Sequence, residues 1–320
     1  MTFARPSGNP DDLFKAGRFA KADRGYSQIL ARDPDNARAN AQRGYIALLS
    51  NRFAVAERYL SKAVRLAPDD EFSKQQLANC FVRQDQLARA APLLRAAGIE
   101  SYAKQYESVT GTPNEVRGPQ STRIPFNALN PGPTIEASVN GAKAVTFGLD
   151  TGAPLAFTME TAQKAGLRVV ATSRGRTSEE VFTIYHGVVG SLRMGDIEMR
   201  NIPVVWHDAE MPHPLGADQP KGVIGTTIFY HFLTTMDFAN QALVLRRKTK
   251  AKLRRFRAEA ERAGAERLPL WMADTHMPYS WAAVRPARSS EPHNKPTPRC
   301  CPRPSPTPRC TSPTSWSSDQ

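Results

Sequence analysis

The sequence of 320 residues predicts a multidomain α plus β fold, with an α-solenoid of helical repeats, then a mostly-β barrel, then a disordered tail. An apolar pattern recurs every 34 residues over the first hundred. Short β-branched or aromatic segments separated by Asn-Gly and Pro turns follow after residue 122. The final 35 residues contain nine prolines and almost nothing apolar. The length also exceeds what one hydrophobic core usually organises.

Residues 11–98 repeat themselves with a period of 34. Phenylalanine or leucine, then alanine, then a large apolar residue recur at this spacing. These positions are Phe19, Phe53 and Leu87, then Ala22, Ala56 and Ala90, then Tyr26, Leu60 and Leu94. Small alanines let amphipathic helices cross closely, so the pattern predicts stacked helix pairs, with an unspecialised helical bundle as the alternative. The segment resembles tetratricopeptide repeats, which implies binding of protein partners.

Residues 99–121 lose the helical period and predict a polar linker, and residues 122–247 then predict a mostly-β domain. The predicted strands are Thr134–Val139, Ala144–Leu149, Val181–Tyr185, Gly187–Leu192, Ile202–Trp206 and Ala242–Leu245. Asn140-Gly141, between the first two, predicts a hairpin turn.

A carboxylate follows an apolar strand at Asp150, with Thr151 and Gly152 after it. We expect this carboxylate to be partly buried, so that it needs donors such as the Gly152 amide, while Thr151 can bond to a neighbouring strand. The tripeptide alone is weak evidence, since ordinary residue frequencies give it by chance in roughly one chain in twenty of this length.

The wider pattern resembles a retropepsin-type aspartic protease. The matching pieces are Asp150-Thr151-Gly152-Ala153, a middle with Gly187, Gly190, Leu192 and Gly195, and Gly222-Val223-Ile224-Gly225. Gly225 follows Asp150 by 75 residues. The resemblance implies a supporting loop of Ala153, Val223, Ile224 and Gly225, in which a side chain on Gly225 would collide with the catalytic loop.

This resemblance implies peptide-bond hydrolysis by water held between two aspartates, with Asp150, Thr151 and Gly152 as the catalytic residues and no cofactor. Two carboxylates ~3 Å apart share one proton. Asp237 lacks a following Thr/Ser-Gly and is interpreted as a strand-end aspartate. We expect a homodimer or a second lobe to supply the second aspartate. A catalytically inert scaffold that binds peptides is the alternative function.

The segment from Arg174 to Phe182 is polar, contains Gly175 and precedes two strands, so it predicts a flap over a protein or peptide substrate. Residues 248–285 predict a basic helix or linker and the start of a truncated second lobe, which the run 268–283 resembles. Asp274-Thr275-His276 is no substitute motif, because histidine replaces the glycine. The apolar pattern then stops, as a reading-frame shift near residue 284 would produce, and residues 286–320 are expected to be disordered.

Charge and motifs exclude several other classes. The net charge is +13, but residues 246–320 hold 16 Lys/Arg against 6 Asp/Glu, which leaves 27 against 24 for the remainder and predicts no specific nucleic-acid partner. His207 and His213 flank Asp208 at spacings that fit no metal-ligand pair, and Cys300, Cys301, Cys310 and His293 form no zinc pattern, so no metal is expected.

The compartment is predicted from the ends of the sequence and its apolar runs. No apolar run approaches the ~18 residues of a membrane span, so no span is expected. The chain as given predicts a cytoplasmic protein. The first repeat begins abruptly, and an exported form is the expectation if an upstream part is missing.

Overall fold

The computed structural model describes residues 8–176, 180–208, 219–266 and 268–280. In this part of the chain, seven helices precede the strands. They are α1 (Pro10–Lys15), α2 (Phe19–Arg32), α3 (Ala37–Leu49), α4 (Phe53–Leu66), α5 (Glu71–Val82), α6 (Leu87–Ala96) and α7 (Glu100–Glu107). None of the described helices is long and apolar enough to cross a membrane.

The 34-residue period reappears in both the packing and the helix ends. Ala22, Ala56 and Ala90 are fully buried between helices. Asn36 caps α3 by accepting a hydrogen bond from the Ala39 amide, and 34 residues later Asp70 caps α5 in the same way. The turns that break the sequence pattern therefore start the next helix pair, as the sequence predicts.

A mostly-β domain follows. Its strands are β1 (Glu115–Arg117), β2 (Ser121–Pro125), β3 (Thr134–Val139), β4 (Val145–Asp150), β5 (Ala156–Phe157), β6 (Ala171–Arg176), β7 (Val181–Met194), β8 (Ile197–His207), β9 (Gly222–Gly225), β10 (Phe232–Asp237) and β11 (Ala242–Arg247). Two short helices, α8 (Met159–Lys164) and α9 (Thr226–Phe229), lie between them.

The large sheet closes into a barrel. Strands β8, β5, β9, β4, β3 and β7 pair in this order, and β7 pairs back to β8. Strands β1 and β6 extend the ring, while β10, β11 and β2 form a separate three-stranded sheet. Fully buried Phe147, Leu192 and Ile224 belong to the core of this domain. The predicted barrel architecture is confirmed.

Two local predictions differ from the structure. The stretch expected as a polar linker, residues 99–121, contains α7 and β1, because Ala103 and Tyr106 bury against the repeats although the helix is only eight residues long. The two strands expected on either side of His186 are one continuous strand, β7. Gly187 does not break it.

Helix α7 joins the repeats to the barrel through Gln105, which is almost fully buried. Its amide nitrogen donates to the carbonyl oxygens of Gly187 and Val204, both at 2.8 Å. Its amide oxygen then faces Nδ1 of His186 at 3.4 Å, so Nδ1 carries the proton and Nε2 accepts from the Ser173 hydroxyl at 2.8 Å. This network is neutral, and burial lowers the pKa of His186 to about 4.

The C-terminal part of the described chain contains helix α10 (Lys250–Arg262), which buries no residue, and a hairpin of β12 (Trp271–Ala273) and β13 (Met277–Tyr279). The hairpin is a two-stranded sheet of its own that packs against α3. The tail expected to be disordered, residues 286–320, lies outside the described residues.

Candidate active site

The loop after β4 presents Asp150. This residue ends the strand and pairs with Gly225 at the end of β9, a parallel neighbour. The Gly152 amide donates to a carboxylate oxygen of Asp150 at 2.7 Å. A carboxylate that accepts a backbone amide is fixed in orientation without losing its other oxygen. The predicted donor is therefore present.

Gly225 must be glycine for a steric reason. A Cβ built on it would lie 1.9 Å from the Ala153 carbonyl oxygen and 2.8 Å from that of Pro154. Backbone atoms cannot swing aside as a flexible side chain can. The close approach expected between the second glycine motif and the Asp150 loop is present.

Two hydroxyl residues that the sequence pattern does not single out fasten the loop. The Thr226 hydroxyl donates to the Thr151 carbonyl oxygen, and the Thr226 amide donates to the Ala153 carbonyl oxygen at 2.9 Å. The Thr227 hydroxyl accepts from the Leu155 amide at 2.9 Å. The bond expected from Thr151 to a neighbouring element is thus made by its backbone. A pair of threonines directly after the glycine was the available signal.

One expectation about the loop is wrong. Asp150 was expected to be partly buried, but Asp150, Thr151 and Gly152 are all exposed. The apolar part of β4 ends with Leu149, and β9 packs beneath the loop without covering the carboxylate. Of the supporting residues, Ile224 and Gly225 are buried.

The segment predicted as a flap is a β-hairpin. Strand β6 pairs with the first part of β7, in register from Ala171 opposite His186 to Arg176 opposite Val181. Arg174 is exposed, whereas Gly175 and Phe182 are buried opposite each other. A Cβ on Gly175 would lie 2.4 Å from the Phe182 ring, so the glycine makes room for that ring. Residues 177–179, at the tip, lie outside the described residues.

Other sequence candidates lie elsewhere. Asp237 ends β10, where Asn240 and, to a lesser extent, Arg123 bond to its carboxylate and lower its pKa. Asp208 accepts from the Thr183 amide at 2.8 Å. His213 and the tail cysteines lie outside the described residues. Asp237 is the strand-end aspartate that the sequence predicts.

Comparison with known proteins agrees with this geometry. The family model described as aspartyl protease matches residues 135–228, which span β3 to α9 and include both Asp150 and Gly225. A retropepsin-like aspartic protease from Rickettsia conorii is 27% identical, with 41% of this chain and 92% of that chain covered and a TM-score of 0.28. No curated protein matches the sequence.

The helical part has its own similar structures. The TPR2B domain of yeast Sti1, solved in a complex with pHsp70, is 20% identical, with 31% of this chain and 79% of that chain covered and a TM-score of 0.27. The chain thus combines tetratricopeptide-like helix pairs with a domain of the aspartyl protease type. The protease-type domain is retropepsin-like.

Proposed function

We propose that this chain is an aspartic endopeptidase in which Asp150 supplies one carboxylate of a catalytic pair. The observation that carries the proposal is the loop itself. Asp150 is exposed at the end of β4, oriented by the Gly152 amide, and backed by a Gly225 backbone that only glycine permits. A merely structural turn aspartate needs none of this support.

The reaction needs a second carboxylate. One carboxylate of the pair is ionised and takes a proton from the attacking water, while the other is protonated and donates to the carbonyl oxygen of the scissile peptide. Collapse of the tetrahedral intermediate then breaks the C–N bond as the leaving amine takes up a proton. The pair titrates as a unit, because two charges ~3 Å apart cannot both persist.

The second carboxylate is proposed to come from Asp150 of another copy, or from a second lobe. A twofold interface brings the same residue of each copy to the axis. The β6–β7 hairpin is the proposed flap, with Arg174, Gly175 and Phe182 in it, and its closure excludes water from a bound peptide. The helical repeats are proposed to bind protein partners.

The experiment is the substitution Asp150→Asn, assayed by cleavage of denatured casein with and without pepstatin. We expect loss of all pepstatin-sensitive cleavage with unchanged circular dichroism. Asp237→Asn is the matched control, since it makes the same chemical change at a strand end outside the loop, and it should retain activity. Activity that survives in Asp150→Asn rejects the assignment.

An inert peptide-binding scaffold is the second candidate, and the single Asp-Thr-Gly of the chain favours it. Sedimentation of the wild-type protein discriminates between the two. A dimer whose specific activity rises with concentration supports the enzyme, and a strict monomer without cleavage supports the scaffold.

A further inference from the structure

The helical repeats carry an aromatic face on the first helices of successive pairs. Phe14, Tyr45 and Phe72 form a chain of ring contacts, with centroids 5.8 Å apart for the first pair and 5.3 Å for the second. Phe19 extends it, 5.3 Å from Phe14. Arg83, just after α5, lies beside these rings. We call these five residues the repeat groove.

The β12–β13 hairpin sits in the repeat groove. The Trp271 ring meets Phe19 edge to face at a centroid distance of 5.3 Å, and Met272 is only 6% exposed. The guanidinium of Arg83 donates to the carbonyl oxygen of Met272 at 2.8 Å and to that of Asp274 in the turn. The contact therefore joins residues about 190 positions apart through both rings and backbone.

Arg83 is an unusual anchor because it is buried without an ion-pair partner within range in the described part of the chain. Its remaining donors reach the carbonyl of Leu48 at 2.9 Å and the side chain of Asn51 at 3.3 Å, and its Nε has no partner among the described residues. Burial lowers the pKa of this guanidinium. The hairpin carbonyls thus provide much of the solvation that Arg83 loses on burial.

The hairpin in turn depends on the groove. Two strands of three residues each do not persist alone in water, because too little apolar surface is buried to offset their ordering. Leu268, Leu270 and Tyr279 are exposed, so Trp271 and Met272 provide the apolar contact. A segment of this kind is either seated in the groove or unfolded.

The other side of the hairpin turn faces the barrel. Thr275 lines one cavity together with Thr227 and Tyr230, the residues that follow Gly225. The Tyr230 hydroxyl bonds back to Asn51 at 3.3 Å, next to Arg83. The seated hairpin therefore lies between the repeat groove and the segment that fastens the Asp150 loop.

We propose that residues 271–279 are an intramolecular ligand of the repeat groove, held by Arg83 and the aromatic face, so that an outside segment can enter the groove only when this hairpin leaves. The groove is thus a regulated surface whose resident occupant is the chain's own C-terminal hairpin. This goes beyond the proposed proteolysis and does not depend on it.

Hydrogen exchange of the full chain, followed by mass spectrometry, tests the seating. Arg83→Met should accelerate exchange of the amides in 271–279 at least tenfold, while the matched control Arg65→Met, on the exposed surface of α4, should leave them unchanged. A wild-type hairpin that exchanges at the unprotected rate, or one unaffected by Arg83→Met, overturns the proposal.

A second variant leaves the groove intact and alters only the ligand. In the full chain carrying Trp271→Ala and Met272→Asp, far-ultraviolet circular dichroism should keep its helical signal while 271–279 lose protection. A labelled synthetic peptide of residues 268–280 should then bind this variant at least tenfold more tightly than wild type by fluorescence anisotropy. Adding Arg83→Met should remove that binding. Equal binding to wild type and the double variant rejects exclusive occupancy. None of these measurements uses protease activity, so they are separate from the Asp150→Asn result.

Discussion

Replacing Gly225 by alanine tests the packing on which the Asp150 loop depends. The added Cβ would lie 1.9 Å from the Ala153 carbonyl oxygen, whereas such contacts essentially never fall below 3.0 Å, so the loop must move by about 1 Å. That carbonyl accepts the Thr226 amide at 2.9 Å, so the movement also weakens a hydrogen bond. Overpacking costs about 1–3 kcal/mol and the hydrogen bond about 1 kcal/mol, and we expect a total loss of about 3 kcal/mol.

Urea unfolding followed by tryptophan fluorescence measures this loss, because Trp206 is buried in the barrel core. With a slope of about 1–3 kcal/mol per molar urea, the midpoint of the barrel transition should fall by about 1–3 M. Gly132→Ala is the matched control, since a Cβ there meets nothing within 4 Å, and it should stay within about 0.5 kcal/mol of wild type. If Gly225→Ala proves as stable as the control, β9 does not pack under the loop as described.

Two further predictions concern the junction and the flap. Because the pKa of buried His186 is lowered to about 4 from 6.5, the unfolded chain binds the extra proton first, and the protein should lose about 3 kcal/mol as the pH falls from 6.5 to 4. Urea midpoints across this range should show a shallower loss for His186→Gln, and an identical slope would contradict the assignment. Gly175→Ala places a Cβ 2.4 Å from the Phe182 ring and should cost about 1–3 kcal/mol in thermal unfolding. Thr172→Ala, at an exposed position of the same strand, should cost far less, and equal losses would reject this packing.

The local patterns of the sequence carry much of the fold. Strand β3 spans the predicted residues Thr134–Val139, and the turn residues Asn140 and Gly141 both take the positive φ values that the Asn-Gly pair favours. Gly187, in contrast, suggests a break in β7 but serves a tertiary contact. A Cβ there would lie 2.7 Å from the Arg168 carbonyl oxygen and 2.9 Å from the Trp206 ring. A glycine needed for close approach looks the same in sequence as a glycine needed for a turn.

The site divides in the same way. The pairing of Asp150 with Gly225 is predictable, because the type of residue at each end reports a close backbone contact. The exposure of Asp150 is not, since it depends on what covers the end of the strand. The seating of Trp271 beside Phe19 is equally unpredictable, because no periodicity links residues so far apart in the chain.

An exposed but rigidly supported Asp150 is what a catalytic pair assembled from two copies requires. Before assembly the carboxylate is stable in water as an exposed group. The bonds that fix its loop, from Gly152 to the carboxylate and from Thr226 to the Thr151 carbonyl, lie entirely within one chain. Association then has to desolvate two carboxylates and share one proton between them, but it does not have to order the loops that carry them. Under the proposed function, the loop support therefore reduces the cost of forming the active site at the interface.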